Sequence, residues 1–193
     1  MGPDGRYYLY YVLDKVSVVS VAVCDTPAGK YEFYGYVHYE DGTRLGEKEG
    51  DEPQFDPGVL TEGDVTYLYT GACGKGDKSR TGAMATVLGA DMLTIREAPV
   101  FVAPGCEYGA GTGFEGHEFF EASSIRKVGD TYYFVYSSIL MHIPVCCTRY
   151  YWYACDKKCT SPLRSAQYFR DYWHRKLLAY LPACRYRCAD HNC

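Results

Sequence analysis

No stretch of this 193-residue chain approaches the ~18 consecutive apolar residues of a membrane-crossing helix. The longest apolar stretch, Val16 to Cys24, is interrupted by Ser17 and Ser20, so no membrane partner is expected. The glycine-rich run Gly71-Ala72-Cys73-Gly74-Lys75-Gly76-Asp77 lacks the Gly-Lys-Ser/Thr ending of a phosphate loop. That removes this route to nucleotide chemistry and leaves a long hairpin tip. Basic residues are scarce over residues 1–138, where 11 Lys/Arg stand against 21 Asp/Glu, a net charge of −10. Such a surface repels phosphate backbones, so no nucleic acid is expected. With 14 tyrosines in the same segment, it suits a neutral, hydroxyl-rich ligand. Glycine is missing altogether after Gly129, whereas residues 139–193 hold seven of the ten cysteines, both tryptophans and a net charge of +6.

What residues 1–138 do contain is a repeat. Asp4-Gly5-Arg6-Tyr7-Tyr8-Leu9-Tyr10 returns as Gly63-Asp64-Val65-Thr66-Tyr67-Leu68-Tyr69 and as Gly129-Asp130-Thr131-Tyr132-Tyr133-Phe134-Val135-Tyr136. Aligning Tyr8, Tyr67 and Tyr133 gives periods of 59 and 66 residues, close to what a four-stranded propeller blade needs. Ahead of the second and third copies, a carboxylate sits at the same point: Asp56 in Phe55-Asp56-Pro57-Gly58-Val59-Leu60 and Glu121 in Phe120-Glu121-Ala122-Ser123-Ser124-Ile125. If the strand before each Gly-Asp turn is the innermost of its blade, both acids point from neighbouring blades toward one channel. A carboxylate beside a carboxylic acid raises its pKa and keeps it protonated near neutrality, which suits acid chemistry on a sugar bond. Taken singly, Asp56-Pro57 also reads as a turn start, and Glu121 as a solvated charge at a strand end.

Strands rich in β-branched and aromatic residues are expected over Tyr7 to Tyr11, Val16 to Val23, around Tyr34 to Val37, Phe55 to Leu60, Thr66 to Thr70, Gly82 to Leu88 and near Pro99 to Val102. No helix of normal length is needed before residue 139. The loop Gly105 to Gly116 is expected to be flexible and to lie over the channel mouth, leading into His117-Glu118-Phe119-Phe120-Glu121. His117 reads either as a substrate hydrogen-bond donor or as a satisfied loop histidine. Phe55 and Phe120 flank the acids and read either as a stacking floor for a sugar ring or as core. The fold class is therefore all-β, a partial β-propeller with about two to three blades, since a closed propeller has at least ~4.

Phe55-Asp56-Pro57, then Phe119-Phe120-Glu121-Ala122-Ser123-Ser124-Ile125-Arg126-Lys127, with Tyr-Tyr strands behind Gly-Asp turns, resemble glycoside hydrolase family 43 from about Asp4 to Ser138. The resemblance implies a five-bladed β-propeller and a β-xylosidase, α-L-arabinofuranosidase or arabinanase activity on plant-type oligosaccharide or polysaccharide. It implies Glu121 as general acid and Asp56 as the residue that tunes and orients it. It places the general-base aspartate about one blade upstream of Met1, so this chain alone is expected to be an inactive fragment. No cofactor is required, no metal ligand is assigned within the chain, and the resemblance allows a Ca²⁺ ion in the channel of the full-length parent. Ser123 stands where many relatives have proline. The alternatives are a non-catalytic carbohydrate-binding propeller or inactive fragment, and a related five-bladed retaining fructosidase. Xylose against arabinose specificity, exo against endo action, oligomeric state and compartment stay open.

The domain boundary is expected at 138/139: an incomplete propeller over 1–138 and a cysteine-rich, glycine-free tail over 139–193. Cys155 and Cys159 with Cys184 and Cys188 form two Cys-x3-Cys pairs within the spacing range of structural zinc ligands. Disulfides are a second reading of the tail. A segment out of frame or not natively folded is the third and the one expected, because composition, charge and repeat all change at one point.

Overall fold

The computed structural model describes residues 1–139 and 148–155, apart from Asp14 and Lys75. Three antiparallel sheets follow one another along the chain. The first is β1 (Tyr7–Tyr11), β2 (Ser20–Cys24) and β3 (Glu32–Tyr36). The second is β4 (Gly58–Glu62), β5 (Val65–Thr70), β6 (Gly82–Leu88) and β7 (Ile95–Pro104). The third is β8 (Glu121–Val128), β9 (Thr131–Ile139) and β10 (Thr148–Cys155). Each sheet pairs strands in chain order, as a propeller blade does. A short 3-10 turn, Cys106–Tyr108, is the one helical element among the described residues. Tyr8, Tyr67 and Tyr133 fall on β1, β5 and β9, so the sequence repeat is a repeat of strands.

The Gly-Asp pairs close two-residue hairpins. Glu62 pairs with Val65 across Gly63-Asp64, and Val128 with Thr131 across Gly129-Asp130. Gly63 and Gly129 have φ of 57° and 59°, the left-handed first position of a type II′ turn, where glycine has no Cβ to clash. Strand ends differ from the pattern by a few residues: Val16 to Val19 lie outside β2, and β4 starts at Gly58 rather than Phe55. Val18 and Val19 are nevertheless buried. Apolar composition follows burial, while strand assignment requires a paired backbone.

Two cores lie between neighbouring sheets. Tyr10, Val19, Val21 and Val37 of the first region meet Leu68, Leu88 and Ile95 of the second. Tyr67, Tyr69, Ala83, Ala85 and Val87 meet Phe119, Ile125, Phe134 and Tyr136. Alternation along β5 therefore sends Leu68 to one core and Tyr67 and Tyr69 to the other, because successive strand residues face opposite sides.

Main-chain pairing crosses the boundary expected at Ser138. β9 runs to Ile139, and Thr148–Cys155 pairs with it residue by residue, from Thr148 opposite Ile139 to Cys155 opposite Tyr132. The tail readings that need Cys159, Cys184 and Cys188 lie outside the described residues.

Candidate active site

The leading strands of the second and third sheets, β4 and β8, are neighbours, and they meet at equivalent places in the repeat. Gly58 packs against the Ser123 backbone so closely that a Cβ on Gly58 would land within the contact distance of Ser123 O and 2.9 Å from its carbonyl carbon. Gly58→Ala is therefore expected to cost ~1–3 kcal/mol through overpacking against backbone. Thermal unfolding followed by circular dichroism checks this. Gly74→Ala, in open space, should leave the midpoint unchanged.

This approach brings the acids together. Asp56 lies in the loop two residues before β4, and Glu121 is the first residue of β8. The Ala122 N–H donates to Asp56 Oδ2 at 3.1 Å, so the Asp56 carboxylate is fastened to the backbone next to Glu121. Both acids are half-buried. Burial raises the pKa of the Glu121 carboxyl above the ordinary glutamate value, and the nearby Asp56 charge raises it further.

Local backbone strain shapes the acid's seat. β8 carries one extra residue between the Glu121–Ser137 and Ser124–Val135 pairs, and Ala122 there has φ of 61°. In the other copy of the repeat, Pro57 stands at the corresponding place. Its ring cannot adopt a positive φ, and the left-handed residue is Asp56 instead, at 42°. Such non-glycine conformations cost on the order of 1–3 kcal/mol and persist only when the surroundings hold them. Here Ser137, fully buried, holds the chain twice: its carbonyl accepts from Phe120 N–H at 2.9 Å, and its hydroxyl donates to Glu121 O at 3.1 Å. The Cys73 N–H adds a bond to Phe120 O at 2.7 Å.

Beneath this turn, Phe119 is fully buried. It stacks on Phe134, with planes 14° apart, and meets Tyr136 at 5.4 Å between centroids. Phe55 and Phe120 are half-buried. The Phe55 carbonyl accepts from Gly71 N–H at 3.0 Å. His117 sits in the loop before β8. Its N–H donates to Phe114 O at 2.7 Å and its carbonyl accepts the Tyr136 hydroxyl at 2.7 Å. Burial pushes the His117 imidazole below its ordinary pKa, and the charge of Glu118 opposes this.

The glycine-rich loop carries hydrogen bonds of its own and one core side chain. Phe114 is anchored in the core, Thr112 Oγ1 donates to Gly109 O at 2.6 Å, and Gly111 N–H donates to Glu115 Oε2 at 3.0 Å. Glu118, buried, accepts Gly116 N–H at 2.9 Å and fills the space where a side chain on Gly109 would stand. Glu118, Ser137, Gly58 and Ala122 were not singled out by sequence. Gly58 and Ala122 alone had a signal, their repeat equivalence to Ser123 and Pro57. No group of three or more His, Cys, Asp or Glu gathers as a metal site among the described residues.

Comparisons with known proteins agree with this architecture. A family model described as glycosyl hydrolases family 43 matches residues 2–169. A curated "Xylosidase/arabinosidase" of Thermoclostridium stercorarium is 79% identical over 142 residues, covering 74% of this chain and 30% of that protein. The chain thus spans less than a third of that relative's length. Among solved structures, an α-L-arabinofuranosidase from Clostridium thermocellum superposes with a TM-score of 0.55 at 26% identity, over 80% of this chain and 45% of that one. A family 43 enzyme from Xanthomonas citri, complexed with xylotriose, shares the fold at 20% identity and TM-score 0.56, over 82% of this chain and 50% of that one. The three sheets are those of a partial five-bladed β-propeller.

Proposed function

The chain belongs to family 43 of the glycosyl hydrolases, and on that premise we propose that it supplies the acid half of an inverting glycosidase acting on arabinose- or xylose-bearing oligosaccharides and polysaccharides. The observation that carries this reading is the fastening of Asp56 beside Glu121, whose carboxyl is pushed up by burial and by that neighbour. Glu121 donates its proton to the glycosidic oxygen as the bond from that oxygen to the anomeric carbon breaks. Asp56 keeps Glu121 in its acid form and fixes the turn that presents it. Water attacks the anomeric carbon from the opposite face, and the family pattern assigns its deprotonation to an aspartate on another blade. The half-exposed rings of Phe55 and Phe120 serve the apolar face of the sugar, and His117, kept neutral by burial, serves a hydroxyl. Acid transfer of this kind needs no cofactor.

The test is direct titration of Glu121 by carboxyl carbon NMR. In the unmodified chain its pKa should lie above the ordinary glutamate value. Asp56→Asn removes the charge that disfavours ionisation, so the pKa should move down, and in an active parent the alkaline limb of the pH–rate profile should move down with it. A Glu121 that titrates normally and ignores Asp56→Asn would favour the non-catalytic carbohydrate-binding reading.

A further inference from the structure

β3 is an edge strand, and its pairing with β2 slips by one residue between Val21 and Ala22. The extra residue, Tyr34, packs edge to face on Tyr8. The slip also brings Phe33 and Tyr36 to one side, although an odd spacing would normally separate them. Their rings meet edge to face, 5.1 Å between centroids at 64°. The Arg44 guanidinium lies 4.8 Å over the Tyr36 ring and is held there by Glu47, with Nε to Oε2 at 2.9 Å. One face of Tyr36 is thereby covered. Phe33 remains 58% exposed.

We propose that Phe33, Tyr36, Arg44 and Glu47 form a surface platform for one unit of a neutral pentose polysaccharide, the substrate class that the active-site reading assigns and on which this inference rests. The C–H face of a sugar ring stacks on Phe33, while its hydroxyls bond to the Arg44–Glu47 pair and the Tyr36 hydroxyl. A protein partner is the poorer occupant. A stable interface needs ~800 Å² per side, whereas this apolar area is about two rings wide. Burying the ion pair under a protein would also cost its desolvation. Sugar hydroxyls replace water at those charges bond for bond. A polyanion is disfavoured by the acidic body, where 21 Asp/Glu face 11 Lys/Arg over residues 1–138. Because the two rings already pack against each other, less side-chain freedom is lost on binding than for two separate side chains.

Native gel electrophoresis of the full chain through soluble arabinoxylan tests this. The chain should be retarded, and Phe33→Ala should weaken the apparent affinity about tenfold, the loss expected for one stacked ring. Phe33→Tyr should keep it, and so should Phe101→Ala, which removes an exposed ring elsewhere. Equal retardation of Phe33→Ala and the unmodified chain overturns the platform, as does no retardation at all or equal retardation by polygalacturonate. Sedimentation showing that Phe33→Ala converts a dimer to a monomer also overturns it, since the patch would then join two copies. The Glu121 titration is measured without ligand, so its outcome is independent of these.

Discussion

In a protein carrying this segment within the full length of its relatives, Glu121→Gln is expected to lower turnover ~10²- to 10⁴-fold on substrates with poor leaving groups, the range for loss of a positioned general acid. Aryl glycosides with acidic phenols should suffer far less, because their departing oxygen needs no proton. This dependence on leaving group distinguishes a lost acid from a damaged fold, and steady-state kinetics on a graded aryl series measures it. The same substitution has a sign to check in stability. Burial and Asp56 raise the folded-state pKa of Glu121, so the protonated carboxyl favours the fold. That contribution is fully present below the unfolded pKa and is lost as pH rises through the folded value. The amide cannot ionise, so Glu121→Gln should melt higher than the unmodified chain near neutrality and no higher at acid pH. A turnover indifferent to Glu121→Gln for every leaving group would remove the acid assignment.

Phe119→Ala is expected to be the most damaging single change to stability, at ~3–5 kcal/mol. Phe119 is fully buried among Phe134, Tyr136 and the close approach of Gly71, so the backbone around it has little room to collapse into the space left. In a chain of this size each kcal/mol moves the melting midpoint by ~2–4 °C, so a drop of roughly 10 °C is expected. The effect should reach the site, because Phe119 leads directly into the turn that seats Glu121. In Phe119→Ala the raised Glu121 pKa should relax toward the ordinary value as that seat loosens. Phe119→Leu keeps most of the volume and should cost far less. Thermal melts paired with the Glu121 titration check both parts. A loss below ~1 kcal/mol would mean that the aromatic cluster does not seat the acid.

Much of the fold was legible because its signals are local. A Gly-Asp pair needs only its own left-handed glycine to make a two-residue hairpin, so Gly63 and Gly129 mark hairpins wherever they fall. Tyrosine-rich alternation marks the strand that follows. The repeat then placed Asp56 and Glu121 at equivalent points, and the structure brings their neighbourhoods into contact through the Ala122 N–H. Strand limits were less legible: Val16 to Val19 have strand composition but lie outside β2, since a partner's register decides where a ladder begins. The glycine-rich loop was legible as a loop, but its anchoring by Phe114 and Glu118 was not.

By itself the sequence determined the strand repeat, the turn chemistry and the two carboxylates as the groups of interest, because each depends on residues close together in the chain. Tertiary structure decided how those carboxylates act on each other. The extra residue in β8, the left-handed Ala122 where the other copy has a proline and the double hold by Ser137 arise as β8 pairs with β9, and the closeness of Gly58 to Ser123 arises where two blades meet. Nothing in an Ala or a Ser announces such a role. The Glu121 pKa follows from desolvation and from a charge 65 positions away in sequence, and only the packed sheets set that distance.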